Sequence, residues 1–317
     1  MFAVFVAMAV SSAAPLPPRS VRTLIHTSRA IVQTSGDQVW PGLSRAPLPL
    51  QLVEPARELL FCAAPMPGFT LAGSGPVTGC TLQTRPRQLP VDVSAATFLE
   101  DLPVIQMGLP AALGATPADW TVTFLHEAFH QYQAVLPGYQ AAIDEVGRSL
   151  GQTGVGWMLD YPFPYADPGV GAAFARMNTA AAAFLSAQPG ADTQTSIKAY
   201  LQARRAARAA VGEQHWLYYE FQVGQEGAAH WTELELADIA GRRNKAIAAV
   251  ARDRRLGLSA SLRAIDTQGL RVWKRGSFYI FGAIETEMMA RSVPDWQQKY
   301  RSAPFAVGTA LEVANMP

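Results

Sequence analysis

The segment from Val122 to Val135 constrains the fold most strongly, because it combines an almost continuous apolar character with three ionisable side chains. Its apolar residues fall on nearly all sides of a helix, which predicts a buried helix rather than a surface one. The ionisable residues are His126, Glu127 and His130. Burying such groups costs several kcal/mol unless each has a partner, so the fold must supply partners for all three. The apolar positions are Val122, Phe124, Leu125, Ala128, Phe129, Tyr132 and Val135.

The sequence marks both ends of this helix. Thr116-Pro117-Ala118-Asp119 is a typical helix start, with Thr as the cap, Pro in the first turn and an acid three residues after the cap. Pro137-Gly138 stops the helix after Leu136. Residues four apart project from one face of a helix, so the imidazoles of His126 and His130 can converge on one ion.

His126-Glu127-Ala128-Phe129-His130 has the H-E-x-x-H spacing of a metal-binding helix. Neutral imidazole is a good Zn²⁺ ligand, and a catalytic site keeps one coordination position for water. Zinc lowers the pKa of that water, and Glu127 can accept its proton as the water attacks a carbonyl. With only five His in 317 residues, a chance match is rare. The alternative is a pair of core histidines held by hydrogen bonds, with Glu127 in an ion pair.

A third protein ligand is required, and Glu226 in Gln225-Glu226-Gly227-Ala228-Ala229 is the preferred candidate. The three small residues that follow it would let its helix approach the H-E-x-x-H helix closely. His230, one turn further on, is a rival ligand. Glu220 and Glu145 are further candidates, and the alternative for Glu226 is a surface or ion-paired carboxylate.

The pairing of H-E-x-x-H with a downstream E-G-x-A helix resembles the gluzincin branch of the zincin metallopeptidases. In that branch two His and one Glu bind zinc, and the Glu of H-E-x-x-H is the catalytic base. The resemblance therefore implies His126, His130 and Glu226 as zinc ligands and Glu127 as the base. It covers these two helices and little else of the chain.

The chain also departs from the main gluzincin subfamilies. Glu226 follows His130 by 96 residues, and Ser149 stands where the aminopeptidase spacing would place the ligand. The chain looks more like scattered, uncharacterised bacterial gluzincin-like proteins. In such families a strand upstream of the metal helix often binds extended substrate, and Val104 to Met107 is placed for that role.

Several residues are candidates for supporting roles. Glu233 and Gln133 could hydrogen-bond the metal-bound imidazoles and orient them, or could be solvated polar residues. A donor for the developing oxyanion is also needed, and Tyr279 is the preferred one because it lies in the apolar helix Ser277–Ala283, where a buried phenol needs a partner. The other candidates are Tyr218, Tyr219 and His215, and each of the four could instead be a core residue.

The order of the elements predicts an α+β fold of zincin-like type, with a β-rich N-terminal part packed on a mainly helical catalytic part. We assign residues 1–20 to a possible signal peptide, 21–115 to the β-rich part and 116–317 to the helical part. Short strands are predicted at Thr23–Thr27, Leu48–Val53 and Val104–Met107, and Pro49 places the second at a sheet edge or delays its start to Leu50. Residues 152–168 are expected to form a long loop. Further helices are predicted near 170–187, 194–211, 214–240, 243–256 and 276–292.

The net charge, the cysteines and the N-terminus limit the possible partners and the cellular location of the protein. A net charge of +1 and basic clusters interleaved with acids argue against nucleic acid as a partner, and no later segment is apolar and long enough for a membrane span. The apolar run at 1–10 followed by small residues favours an export signal, and hence a secreted or periplasmic location. No Lys or Arg precedes the run, as a signal peptide would normally have. The alternative is a cytoplasmic protein in which this run is a buried first strand. Cys62 and Cys80 then form one disulfide or stay as two buried thiols.

The sequence thus predicts a zinc-dependent hydrolase, with a peptide or protein as substrate. Two alternatives stand beside it: an inactive zincin-like binding module that keeps the metal helix as scaffold, and a metal-dependent hydrolase of non-peptide amides or esters. An intact Glu127 argues against the binding module, since such a module has no need of the base.

Overall fold

The computed structural model describes residues 16–75, 79–187 and 193–315. Contacts within the chain divide it into two compact units. The first comprises the residues up to Arg29 together with Pro47–Pro117, and the second comprises Ala30–Ala46 together with Ala118–Pro317. The strands lie in the N-terminal part and helices make up most of the rest, which confirms the α+β class. Most of the possible export signal, residues 1–15, lies outside the described residues.

The first unit contains one six-stranded mixed sheet, formed by β1 (Leu50–Val53), β2 (Arg57–Phe61), β3 (Thr70–Gly75), β4 (Cys80–Pro86), β5 (Ser94–Leu99) and β6 (Leu102–Gly108). The strand order is β3-β4-β2-β1-β6-β5, and only β1 and β6 run parallel. All four residues of β1 are buried, and the strand begins at Leu50, directly after Pro49. Because proline has no N–H for the ladder, it can stand before this interior strand but not within it.

Strand β6 contains the predicted strand Val104–Met107, but it is not free to bind extended substrate. Residues Ile105–Gly108 pair with β1 on one side, and Leu102–Met107 pair with β5 on the other. A strand can add a peptide only along an unpaired edge. The role expected for Val104 to Met107 is therefore wrong, because both of its edges are occupied within the sheet.

Cys62 and Cys80 form a disulfide. Cys62 follows β2 directly, Cys80 opens β4, and the two strands are antiparallel neighbours. The Cys62 N–H also donates to the Thr81 carbonyl at 3.0 Å. The bond therefore closes an 18-residue separation between strands that the backbone ladder already joins.

Residues Thr23–Thr27 belong to a helix, α1 (Arg19–Val39), and the strand predicted there is wrong. Five residues were too short a window to separate the two periodicities. The buried positions of α1 are 25, 28, 32, 36 and 39, a spacing of three and four that only a helix places on one face.

Helices account for most of the second unit: α2 (Pro117–Ala134), α3 (Tyr139–Ser149), α4 (Trp157–Asp160), α5 (Pro168–Ser186), α6 (Gln194–Val211), α7 (Glu213–Gln222), α8 (Ala228–Gly241), α9 (Lys245–Gln268), α10 (Leu270–Trp273), α11 (Gly276–Ser292), α12 (Trp296–Ser302) and α13 (Val307–Ala314). The five further helices predicted from the sequence are present. The one expected at 214–240 is divided by a π-helical turn, Val223–Gly227, and the one expected at 243–256 continues to Gln268. Within the described ranges, no helix has the length and apolar character needed to cross a membrane.

Trp40, directly after α1, is fully buried and ties α2 to α8. Its ring centroid lies 5.1 Å from that of Phe129 on α2 and 6.1 Å from that of Trp231 on α8. The indole N–H donates to the Thr232 hydroxyl at 2.8 Å. Aromatic pairs at such separations add to the stability that burial already gives, so this contact fixes two of the helices from which the site is built.

A buried network of ion pairs around Arg204 also joins helices of this unit. Arg204 is fully buried and contacts the carboxylates of Glu220, Glu285 and Glu312, the last two at 3.2 and 2.7 Å. Tyr219 donates to Glu285 at 2.6 Å. Three acids face one guanidinium, and burial raises the pKa of Glu285 in spite of the Arg204 charge. Removing one partner from such a network typically costs about 3–5 kcal/mol, because a buried charge is left without compensation.

Glu58 on β2 plays a comparable role in the sheet. Its carboxylate accepts hydrogen bonds from the side chains of Gln51 (2.6 Å) and Arg85 (2.5 Å) and from the backbone N–H groups of Gln88 (2.7 Å) and Leu89 (2.6 Å). Burial alone would raise its pKa, but these bonds and the Arg85 charge hold the pKa below the ordinary value of 4.5. A depressed carboxyl pKa contributes stability that is present above 4.5 and is lost as the pH falls through the folded-state value.

We predict that Glu58→Gln lowers the melting temperature at neutral pH, and that the difference from wild type shrinks once the pH falls below 4.5. The measurement is thermal unfolding across an acid pH series. Glu100→Gln makes the same chemical change at an exposed turn of this unit, and should leave the melting temperature nearly unchanged. A Glu58→Gln deficit of the same size at every pH would contradict the assignment.

Candidate metal centre

Helix α2 places His126 and His130 side by side, one turn apart. Their Nε2 atoms are 3.1 Å from each other, and their ring planes lie at 77°. Each of the two side chains is 13% exposed. The pair is therefore held in the interior of the helix bundle but keeps a path to solvent.

Glu226 reaches the same point from the π-helical turn Val223–Gly227. Its Oε2 atom lies 3.5 Å from His126 Nε2 and 3.4 Å from His130 Nε2, and its side chain is 14% exposed. A π-helical turn adds one residue to the α-helical repeat, which changes the direction of the side chains on it, and such turns are frequent at functional sites. The chain thus departs from regular helix at Glu226, whose Oε2 atom forms a triangle with the Nε2 atoms of His126 and His130.

The sequence predicts that the small residues after Glu226 allow a close approach to the H-E-x-x-H helix, but the glycines of this turn pack against other segments. A Cβ on Gly227 would lie 2.3 Å from the Cα of Gly282 in α11, and a Cβ on Gly224 would lie 2.0 Å from the Pro304 carbonyl oxygen. The close backbone approach is therefore to α11 and to the segment after α12, and not to the H-E-x-x-H helix. These backbone contacts fix the position of the π-helical turn, and the Glu226 side chain extends from the turn to α2.

The dimensions of the triangle suit a zinc ion. With bonds of about 2.1 Å to nitrogen and oxygen, the ligand atoms of a tetrahedral zinc site lie about 3.4 Å apart. The three observed separations are 3.1, 3.4 and 3.5 Å. His126, His130 and Glu226 could therefore hold Zn²⁺ with little movement, and the fourth tetrahedral position would be open.

His126 is oriented by a second carboxylate. Its Nδ1 lies 3.2 Å from Oε2 of Glu233 on α8. The other oxygen of Glu233 contacts His230 Nδ1 at 2.9 Å and Arg254 Nη1 at 2.8 Å. His230, the rival third ligand, thus faces Glu233 rather than the triangle. His126, His230 and Glu233 form a second cluster that could hold a cation. However, the Glu233 carboxylate is already ion-paired with Arg254.

Gln133 orients His130 in a similar way. Its amide oxygen lies 2.6 Å from His130 Nδ1, and its amide nitrogen donates to the carbonyls of Gly224 (3.2 Å) and Gln225 (3.1 Å) and to the Tyr300 hydroxyl (2.6 Å). One side chain therefore joins the second imidazole to the turn that carries Glu226. The acceptors at both Nδ1 atoms favour an N–H there, which in the neutral form of each ring would leave the Nε2 lone pair for a cation.

The electrostatics of the site favour a cation at this point. Burial would raise the pKa values of Glu226 and Glu233, but contacts with the imidazoles, and for Glu233 with Arg254 also, hold both pKa values well below the ordinary range. Burial would lower the pKa of His126, but hydrogen bonds to Glu226 and Glu233 raise it to about 10. The carboxylates thus favour positive charge at this point, which a proton on His126 supplies and a metal ion could also supply.

Glu127 and Tyr279 lie at the same site. Glu127 is buried, and its charge raises the pKa values of both His126 and Tyr279. Tyr279, on α11, accepts a hydrogen bond from Arg275 Nη1 at 2.9 Å. Burial, followed by the Glu226 charge, raises the Tyr279 pKa far above its usual range. The phenol therefore keeps its proton and can donate a hydrogen bond.

The remaining sequence candidates are engaged elsewhere. Glu220 contacts Arg204, and exposed Glu145 pairs with Arg148 at 2.5 Å. Among the oxyanion candidates, Tyr218 donates to the Met158 carbonyl, Tyr219 to Glu285, and His215 contacts the Tyr161 hydroxyl.

Two arginines near the triangle were not predicted from the sequence. The guanidinium of Arg254 contacts Glu233 and donates to Thr123 on α2 at 3.0 Å. Arg275 carried one usable signal, its spacing of four residues from Tyr279 on a helix.

Comparison with known protein families, with curated proteins and with solved structures gives no match.

We predict that Gly227→Ala lowers the free energy of unfolding by about 1–3 kcal/mol, because the new methyl group overlaps backbone atoms of α11 that cannot rotate away. Gly257→Ala is the matched control, since a Cβ at this glycine of α9 meets nothing within 4 Å. It should raise the free energy of unfolding by about 0.5–1 kcal/mol. Chemical denaturation measures both, and equal effects of the two substitutions would show that the contact with Gly282 is not tight.

Proposed function

We propose that this protein is a zinc-dependent hydrolase, most readily a peptidase, with His126, His130 and Glu226 as the metal ligands. The observation that carries the proposal is the triangle of their ligand atoms, whose sides of 3.1, 3.4 and 3.5 Å fit a tetrahedral zinc site. The resemblance of the two motifs to gluzincins supports the same assignment. Bound zinc would supply an acidified water and a Lewis acid for the substrate carbonyl.

Glu127 is the general base of the proposed reaction. It follows the first ligand directly on α2, is buried, and acts electrostatically on His126 and Tyr279. Its carboxylate takes a proton from the attacking water and passes it to the leaving amine. General acid–base catalysis of this kind contributes about 10²–10⁴-fold to the rate.

Tyr279 is the proposed donor to the developing oxyanion. Its hydroxyl oxygen already accepts a hydrogen bond from Arg275, which polarises the O–H bond and makes it a stronger donor. The burial that keeps the phenol protonated also strengthens the bond that it donates.

Export of the protein is a further part of the proposal. The Cys62–Cys80 bond supports it, because disulfides persist in oxidising compartments and are rare in the cytosol. The N-terminal apolar run points in the same direction.

We expect wild-type protein to hold one zinc ion, and Glu127→Gln to keep that zinc while losing about 10²–10⁴-fold in activity. Glu226→Ala should weaken zinc binding by more than the ~10–100-fold that loss of an outer hydrogen-bond partner costs. Metal analysis and chelator-sensitive cleavage of a peptide library measure the two effects. Glu145→Gln, an exposed acid of the same unit, is the control and should change neither. Full zinc in Glu226→Ala would disprove the ligand assignment, and stoichiometric zinc without any cleavage would favour the binding module.

For Tyr279→Phe we predict a fall in kcat of about 10²-fold with zinc retained, since one oxyanion donor is removed while His126, His130 and Glu226 all remain. Steady-state kinetics on a cleaved peptide give the value. Tyr161→Phe removes a hydroxyl that contacts His215 instead and should leave kcat within about twofold of wild type. A Tyr279→Phe enzyme with full kcat would remove this residue from the mechanism.

A further inference from the structure

Arg275 lies at the edge of the triangle, directly before α11. Its Nη1 atom is 4.0 Å from Oε1 of Glu226, whose other oxygen faces the two imidazoles. At 4.0 Å the two groups form an ion pair without a hydrogen bond, so the guanidinium keeps its N–H groups for other acceptors. About 30% of the Arg275 side chain is exposed, which leaves it accessible from solvent.

The guanidinium uses little of its capacity to donate. An arginine has five N–H donors arranged in a planar fork, and within the described residues Arg275 donates one hydrogen bond, to the Tyr279 hydroxyl. The Nε and Nη2 edge is therefore left for another acceptor. The group that matches this edge with two parallel hydrogen bonds is a carboxylate or a phosphate.

The Arg275 guanidinium also lies over the ring of Tyr279, with Cζ 5.4 Å from the ring centroid. Burial raises the pKa of Tyr218 to about 12, and the positive charge of Arg275 opposes that rise. Because the proposed substrate is a peptide, the acceptor that would meet the remaining edge of the guanidinium is a carboxylate rather than a phosphate ester.

The distances place such a carboxylate near the bond to be cleaved. The Glu226 carboxylate lies between Arg275 and the imidazoles, with Oε1 4.0 Å from Arg275 Nη1 and Oε2 3.4 Å from His130 Nε2. An extended residue spans about 3.3–3.6 Å. A carboxylate held by Arg275 would therefore lie within one or two residues of a peptide bond at the triangle.

We propose that Arg275 binds a substrate carboxylate, so that this protein cleaves peptides carrying a carboxylate one or two residues from the scissile bond. The inference rests on the proposed function and names the substrate class of that site. The carboxylate is either the free C-terminus of the peptide or an Asp or Glu side chain, and the chemistry of recognition is the same for both.

The test compares three versions of one peptide that wild-type zinc-loaded protein cleaves: one with a free C-terminus, one with an amidated C-terminus, and one amidated with Asp as the last residue. We expect kcat/KM to be about 10–100-fold higher for one of the carboxylate-bearing peptides than for the neutral amide, since bonds to a charged group have this magnitude. A preference for the free C-terminus identifies the main-chain carboxylate, and a preference for the Asp peptide identifies the side chain.

Arg275→Met should remove the preference, mainly through a higher KM for the favoured peptide. Arg275→Lys keeps the charge without the planar fork and should restore only part of it. Arg271→Met removes an exposed arginine four residues earlier and should leave the preference intact. Zinc content, measured in each variant, keeps metal loss apart from substrate recognition.

Equal cleavage of all three peptides by wild-type protein would overturn the inference and leave the proposed function standing. A preference that survives in Arg275→Met would also overturn it. If Arg275→Met lowers kcat equally for all three peptides and keeps the preference, Arg275 acts only through its hydrogen bond to Tyr279, and the inference is overturned. Absence of cleavage of any peptide would overturn the proposed peptidase function and this inference with it.

Discussion

The structure of the second unit depends on one constraint: two imidazoles and a carboxylate in the interior of a helix bundle must find partners. Glu226 and Glu233 approach His126 from opposite ring nitrogens, and Gln133 takes the free nitrogen of His130. These contacts bring two ring nitrogens and one carboxylate oxygen to a single point. Burial would lower the pKa of His126, but hydrogen bonds to Glu226 and Glu233 raise it to about 10, so this point favours a positive charge, whether a proton or a metal ion supplies it.

The scaffold around this point is rigid for two different physical reasons. Trp40 joins α2 to α8 through aromatic packing and one indole hydrogen bond. Arg204 joins α6 to α7, α11 and α13 through ion pairs with three carboxylates. Packing of this kind fixes helix positions to a fraction of an ångström. Buried ion pairs add directional constraints, whatever their net contribution to stability.

Helix α11 connects the metal ligands to the chemistry proposed for substrate. Its Gly282 presses against Gly227 and so supports the turn that carries Glu226. Near its start, Arg275 and Tyr279 present a guanidinium and a phenol to the same site. One element therefore sets both the ligand geometry and the donors that would meet a carbonyl and a carboxylate. A displacement of α11 would disturb both together.

The sequence by itself determined the helix with two histidines one turn apart, because a period of 3.6 residues fixes which side chains share a face. It also predicted the α+β class, five helices between residues 170 and 292, and, as one of two alternatives, the start of β1 after Pro49, since local periodicity and the chemistry of proline act over a few residues. Only the tertiary structure decided that α1 is a helix at Thr23, that β6 has no free edge, and that Glu226 stands on a π-helical turn packed against Gly282. The same holds for His230, Arg254 and Arg275, whose partners come from distant parts of the chain. Contacts between residues far apart in sequence leave no periodic trace, because they arise only when whole helices pack.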